Sequence, residues 1–132
     1  MKKIISFSLA GKILMSALIL LVLLHVLILL RIVPADIVWG GQINDSGSNL
    51  VSLEIVALSV TLAFIVIVAA KLDYIKLAKY WKVINFGTWT VFAYLLLNTL
   101  GNLASGVTVE NLFFAPLTLV MAFCALRLAI EK

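Results

Sequence analysis

The sequence predicts an all-α integral membrane protein, a four-transmembrane-helix up-down bundle with both termini in the cytoplasm. Three observations lead to this prediction. The chain is too apolar for a water-soluble globule, it contains four uncharged apolar runs of about membrane-spanning length, and its basic residues fall almost entirely on one side of those runs.

The composition of the 132-residue chain is 64% hydrophobic and 12% charged, with a mean hydropathy of +1.22. Soluble domains carry about 25% charged residues, so this chain has too little polar surface to cover a globule in water. Four spans of about 20 residues occupy roughly 80 residues and leave no loop long enough for a second core. We therefore predict a single transmembrane domain over residues 1–132.

The apolar runs place the spans at about residues 10–33, 50–72, 83–104 and 109–130. Pro34 disfavours helix at the preceding residue, so we place the end of the first span at Val33. Pro116 lies inside the fourth run and predicts a kink there. The stretches that contain no charged residue are Ile13–Leu30, Ile55–Ala70, Val83–Val109 and Asn111–Leu126.

The charges give the orientation of these spans. Nine basic and two acidic residues give +7 on the face of the termini, while one basic and four acidic residues give −3 on the other. Short loops rich in Lys and Arg stay in the cytoplasm, so we predict a multi-pass protein of the bacterial inner membrane with both termini inside. The basic residues of that face are Lys2, Lys3, Lys12, Lys71, Lys76, Lys79, Lys82, Arg127 and Lys132.

Polar residues inside the spans mark a candidate site, because they are costly in hydrocarbon. At a rise of about 1.5 Å per residue, polar groups from three spans fall in matching layers of the outer half. In these layers Arg31 is the cation available to pair with Glu54. The third span adds a polar stripe at a spacing of four residues, which begins at Thr90. The candidate ligand-binding residues are His25, Arg31, Trp39, Glu54, Tyr94, Asn98, Asn102 and Glu110.

Two interpretations of this outer cluster remain open. Its side chains are either interhelical hydrogen bonds that stabilise the bundle, or the lining of an outward-facing cavity. We favour the cavity, and with it a non-enzymatic protein that binds a small molecule or lipid headgroup, with transport of that ligand as an extension of the role. The alternative is an accessory or regulatory subunit that packs against a partner membrane protein, and the same polar face also suits a homo-oligomer.

The connection between the second and third spans is basic and aromatic. Lys76, Lys79 and Lys82 alternate with aromatic residues that include Trp81. Such a segment at the cytoplasmic boundary suits the headgroups of anionic lipids better than nucleic acid, in spite of a pI near 9.4. We predict lipid-headgroup contacts for these four residues.

Signatures of catalysis and of metal binding are absent from the sequence. It contains no G-x-S-x-G, H-E-x-x-H, P-loop or dinucleotide-binding motif. A single histidine and the single Cys124 cannot form a His-rich or thiolate metal site within one chain. We expect no catalytic residue, no metal and no cofactor.

Three short motifs carry a resemblance to a known group. They are Val38-Trp39-Gly40-Gly41 in the first outer loop, Asn98-Thr99-Leu100-Gly101-Asn102 at the end of the third span, and Pro116-Leu117-Thr118 in the fourth. With them the chain resembles a group of small four-span bacterial membrane proteins of uncharacterised activity. The resemblance implies the fold over nearly the whole chain and implies no chemistry.

Overall fold

The computed structural model describes residues 1–38 and 48–131, and within them it contains helices and no strand. Four helices are long and apolar enough to cross a membrane, which confirms the predicted all-α class and the predicted number of membrane-length helices. They are α1 (Phe7–Leu29), α2 (Ser48–Lys71), α3 (Trp81–Ala104) and α4 (Ala115–Ala129), the last preceded by a π-helical turn at Glu110–Phe114. Short 3-10 turns lie at Ala35–Ile37 and Ala78–Tyr80.

Helix α1 begins and ends earlier than predicted. The side chain of Ser6 caps its first turn by accepting a hydrogen bond from the Leu9 amide. At the other end Arg31 has a φ of 58°, and the amides of Arg31 and Ile32 donate to the carbonyls of Ile28 and Leu27. This left-handed terminating motif ends the helix before Pro34 can act, so the predicted end near Val33 is corrected to Leu29.

Helix α2 ends by the same device. Asp73 has a φ of 62°, and the amides of Asp73 and Tyr74 donate to the carbonyls of Ala70 and Ala69. In both motifs a non-glycine residue occupies a position that usually favours glycine. The positions of glycines in the sequence therefore did not indicate either helix end.

Pro116 acts through the π-helical turn that precedes it. Proline has no amide hydrogen and its ring crowds the carbonyl four residues earlier, here that of Leu112. The helical turn just before this point contains about one additional residue, and the Ala115 amide donates to the Glu110 carbonyl five residues earlier. The predicted distortion of the fourth span is therefore a π turn, and it leaves Glu110 buried.

The four helices form a bundle in which α1 packs on α2 and α4, while α3 packs on α4 and α2. Gly11 lets α1 approach the Leu72 side chain, because a β-carbon at this position would overlap it. Large apolar side chains are exposed on the outside of all four helices, as lipid-facing surfaces require. The central core consists of Ala10, Leu14, Ala17, Leu18, Phe64, Val68, Val91, Leu95, Met121, Ala122, Cys124, Ala125 and Leu128.

A hydrogen-bonded network, here called the terminal clamp, joins the helices at the end where the chain starts and α4 finishes. Lys71 Nζ donates to Asn85 Oδ1 (2.6 Å) and to the Glu131 carbonyl (2.7 Å). Arg127 donates from Nε to the Ile5 carbonyl (3.1 Å) and from Nη1 to the Glu131 carboxylate (2.7 Å). Lys71 and Arg127, which the sequence suggested were interfacial charges, are each 3% exposed. Their role in the structure is to hold this end closed.

Candidate functional site

A cavity of about 370 Å³ lies in the half of the bundle opposite the terminal clamp. Its walls come from the C-terminal halves of α1 and α3, the middle of α2, Val38 in the connection after α1, and the π turn with the start of α4. The lining residues are Leu18, Leu21, Leu24, His25, Val38, Ala57, Thr61, Phe64, Tyr94, Leu95, Asn98, Gly101, Asn102, Ala104, Ser105, Glu110, Phe114 and Thr118.

Five of the eight predicted ligand-binding residues line this cavity. They are His25 on α1, Tyr94, Asn98 and Asn102 on α3, and Glu110 in the π turn. Glu54 lies behind the wall in contact with His25, and Arg31 is exposed beyond the end of α1. Trp39 lies outside the described residues.

The side chain of Glu54 contacts His25, not Arg31 as the sequence suggested. His25 Nδ1 lies 2.6 Å from Glu54 Oε2, and the Glu54 side chain is fully buried. The early end of α1 explains why His25, and not Arg31, contacts Glu54. His25 is four residues from that end and Glu54 six residues from the start of α2, so both lie about 6–9 Å inside the bundle. Arg31 lies past the last helical turn and is exposed.

The polar stripe of α3 contacts α4 through one threonine. Asn102 Nδ2 donates to Asn98 Oδ1 (3.0 Å) and to Thr118 Oγ1 (3.4 Å), and the hydroxyls of Thr99 and Thr118 are 2.9 Å apart. Tyr94 extends the stripe deeper into the bundle. Some residues of the stripe therefore form interhelical hydrogen bonds and some line the cavity. Each of the two interpretations of the sequence, bundle stabilisation and cavity lining, describes some of these residues.

The other two residues of the stripe, Tyr94 and Thr90, have different surroundings. Tyr94 packs edge-on against Phe64 of α2, with ring centroids 5.1 Å apart. Thr90, one turn further along, is exposed and donates to the Phe86 carbonyl. The stripe thus leaves the cavity between Tyr94 and Thr90.

Ser105 organises the turn that carries Glu110 into the cavity. Its hydroxyl donates to the Glu110 carboxylate and accepts from the Val107 amide (3.1 Å). Its carbonyl accepts from Asn111 Nδ2 at 2.5 Å. Glu110 is thereby held inside the bundle at the first turn after α3.

Sequence reasoning missed several lining residues. Ser105 and Thr61 lie at isolated positions with no spacing signal, and the aromatic Phe64 and Phe114 look like ordinary lipid or core residues. Thr118 could have been found, because it belongs to one of the three motifs noted in the sequence. Threonine donates readily to the carbonyl four residues earlier, as Thr61 and Thr118 do here.

The cavity wall carries no basic side chain among the described residues other than the imidazole of His25. Glu110 supplies a carboxylate at the wall, and Glu54 supplies a second one directly behind His25. The exposed part of the lining is on α3, at Tyr94, Asn98, Gly101 and Ala104. The site is therefore acidic and aromatic, and it opens along α3.

Metal-ligating groups do not gather at this site. Across residues 1–38 and 48–131, no three His, Cys, Asp or Glu side chains come together in a way that could hold a metal ion.

The four predicted lipid-contact residues fall into two groups. Lys76, Lys79 and Lys82 are exposed on the connection between α2 and α3 and on the first turn of α3. Trp81 is also exposed on one face, while the Lys71 ammonium lies 4.3 Å from its ring centroid. Trp81 thus supports the terminal clamp through a cation–π contact.

Comparisons with protein-family models, with curated proteins and with solved structures find no match to this chain. The fold and the candidate site therefore stand on the sequence and the geometry alone.

Proposed function

We propose that this chain is a multi-pass protein of the bacterial inner membrane, with both termini in the cytoplasm, that binds a small molecule or a lipid headgroup in an outward-facing cavity. The proposed role is non-enzymatic. Passage of the ligand across the membrane extends this role and requires the terminal clamp to open.

The charge distribution supports the proposed orientation. The chain start, the α2–α3 connection and the end of α4 lie together at the end that carries the terminal clamp and the exposed lysines. Asp36, Glu54 and Glu110 lie towards the opposite end. The positive-inside rule places the basic end in the cytoplasm and the cavity in the outer half of the bilayer.

The observation that carries the proposal is the cavity itself. Protein interiors are close-packed, and voids larger than a water molecule are few. A space of about 370 Å³ falls within the range of about 300–1,000 Å³ typical of small-molecule sites. Its lining combines apolar walls with polar groups from all four helices and from the turn before α4, as ligand sites do.

The glycine on the cavity wall provides a direct test. A β-carbon added at Gly101 meets nothing within 4 Å, so Gly101→Leu adds a bulky side chain at the exposed part of the cavity wall without a clash. Gly106 has equally open surroundings and does not line the cavity, so Gly106→Leu is the matched control. We expect native mass spectrometry to detect a co-purified ligand on the wild type and on Gly106→Leu, and to find it lost from Gly101→Leu. Equal ligand content in all three proteins would contradict a cavity site.

The second candidate function is an accessory subunit that packs against a partner membrane protein or a second copy of this chain. Tyr94 and Asn98 favour it, because both are exposed on α3 where hydrogen-bonding groups would otherwise face hydrocarbon. The mass of the complex purified in a mild detergent tests this candidate. A stoichiometric complex that Asn98→Leu dissociates would support the subunit role, and a monomer with bound ligand would support the cavity.

A further inference from the structure

We infer that the cavity selects an ammonium cation with an apolar body, with the Glu110 carboxylate as the counter-ion. This inference rests on the proposed function, because it names the class of ligand for the same cavity. Its basis is the sign of the charge at the wall, the aromatic rings beside it, and the direction in which the cavity opens.

The charge of the wall is negative in either state of the histidine. With both carboxylates ionised, Glu110 and the His25–Glu54 pair sum to −2 when the imidazole is neutral and to −1 when it is protonated. Of the nine Lys and Arg residues that the structure describes, eight belong to the other end, and Arg31 is exposed outside the cavity. An anionic ligand would meet a like charge here, whereas a cation would meet an opposite one.

The rest of the wall suits a cation that is also apolar. The aromatic rings of Phe64, Tyr94 and Phe114 line the cavity, and aromatic rings attract an ammonium group more strongly where water is excluded. Leu21 and Leu24 supply an apolar surface on α1. A small hydrated metal ion would gain little from such walls, since it prefers a full shell of oxygen ligands.

The exposed lining on α3 provides the route of entry. An apolar body can enter along this helix from the bilayer while the charged head reaches Glu110 near the outer surface. The ammonium could belong to the headgroup of a lipid or to a free amphiphilic amine, and both present the same chemistry to the wall.

The test compares three probes of similar shape and different charge on the full chain in an uncharged detergent. They are phenyltrimethylammonium, its neutral isostere tert-butylbenzene, and anionic benzenesulfonate. Binding is measured by isothermal titration and by thermal shift, with protein-free micelles as the blank. We expect the cation to bind roughly tenfold to a hundredfold more tightly than the neutral isostere, and the sulfonate to bind most weakly.

Charge-matched variants locate the source of this preference. Glu110→Gln should lower the affinity for the cation to the affinity for the neutral isostere. Unchanged binding of tert-butylbenzene to this variant shows that the cavity of the variant is intact. Asp36→Asn removes the same charge from an exposed position at the same end, outside the cavity lining, and should leave the preference unchanged. If Glu110→Gln does not fold, the order of the three probes on the wild type still decides the inference.

Each outcome has a defined meaning. Equal binding of cation and isostere, tighter binding of the sulfonate, or an unchanged preference in Glu110→Gln would overturn the ammonium site while the ligand-binding cavity stands. If no probe binds and no ligand co-purifies, the proposed function fails as well. If added phosphatidylethanolamine, but not phosphatidylglycerol, competes with the cationic probe, the ammonium belongs to a lipid headgroup. If phosphatidylethanolamine does not compete, the ammonium belongs to a free amine.

Discussion

At the scale of single residues, the contact between His25 and Glu54 has the clearest energetic consequence. A carboxylate that is fully buried in an apolar bundle needs hydrogen-bond donors, and His25 supplies one at 2.6 Å. The pair joins α1 to α2 directly behind the cavity wall. Its geometry therefore affects both the stability of the bundle and the charge that a ligand meets.

Removing the histidine tests this pair. We expect His25→Ala to lower the free energy of unfolding by about 1–2 kcal/mol, because the buried carboxylate loses a charge-assisted hydrogen bond. His25→Gln keeps an amide donor near the same place and should lose less. Denaturant unfolding in mixed micelles measures both variants. Equal loss in the two would mean that packing, and not the hydrogen bond, accounts for the effect.

The two left-handed residues give a prediction of the opposite sign. Arg31 and Asp73 have positive φ values, which strain a side chain and suit glycine. We expect Arg31→Gly and Asp73→Gly each to gain up to about 1 kcal/mol in stability. Leu30→Gly, at a neighbouring position with ordinary helical φ, should instead lose about 0.5–1 kcal/mol. A loss of stability in all three would show that these turns owe their form to side-chain contacts.

At the scale of the helices, the apolar runs predicted their number and order, because an uncharged stretch of this length has few other stable environments. The helix ends were less predictable. Arg31 and Asp73 end their helices in a conformation that their residue types do not indicate, and Pro116 predicts a distortion without indicating that it takes the form of a π turn. The predicted Arg31–Glu54 pair was wrong for this reason, since it assumed that α1 continues to Val33.

The candidate site was partly predictable on the same physical grounds. Polar side chains within apolar helices, compared by depth, pointed to His25, Tyr94, Asn98, Asn102 and Glu110, and the structure places all five around one cavity. The comparison covered polar side chains within the spans, so Ser105, which follows the end of α3, and the aromatic residues Phe64 and Phe114 were missed. The terminal clamp was missed as well, because Lys and Arg at a span boundary are usually solvated.

The terminal clamp makes a prediction at this scale. Arg127 is buried and joins the chain start to the end of α4, so Arg127→Leu leaves the Ile5 carbonyl and Glu131 without their donor. We expect a loss of about 2–3 kcal/mol in unfolding free energy. Lys82→Leu, at an exposed basic position, should stay within about 0.5 kcal/mol of the wild type. Similar effects of the two substitutions would contradict a structural role for the clamp.

The pH dependence of stability provides a second readout of the clamp. The hydrogen bond from Arg127, with the charge of Lys2 beside it, holds the pKa of the Glu131 carboxyl below its usual value of 4.5. A lowered pKa in the folded state adds stability that is fully present above the usual value and is lost as the pH falls through the folded one. Arg127→Leu should reduce this acid-dependent loss, and a loss unchanged from the wild type would contradict the assignment.

At the scale of the whole molecule, the bundle has one closed, basic end and one hollow, acidic end. The closed end presents Lys76, Lys79 and Lys82 to the surroundings, and each basic residue near an anionic leaflet is worth about 1 kcal/mol. Replacing all three with Gln should lower the amount of anionic lipid that co-purifies, measured by mass spectrometry of extracted lipid. Lys2→Gln with Lys3→Gln removes two charges from the same end outside this segment and should lower the lipid content less. Unchanged lipid content in the triple variant would contradict a headgroup site.

The central claim is that a water-accessible cavity faces outward in the outer half of the bilayer. The most direct measurement is labelling of single cysteines, in a Cys124→Ala background, by a charged, membrane-impermeant thiol reagent applied to right-side-out membrane vesicles. Asn98 lines the cavity, whereas the adjacent Leu97 is exposed on α3 and lies outside the lining, so the two make a matched pair. We expect Asn98→Cys to react from the outside and to be protected by phenyltrimethylammonium, while Leu97→Cys, facing lipid, stays unlabelled. Reaction of Asn98→Cys only after the vesicles are opened, or no reaction at all, would contradict the outward-facing cavity.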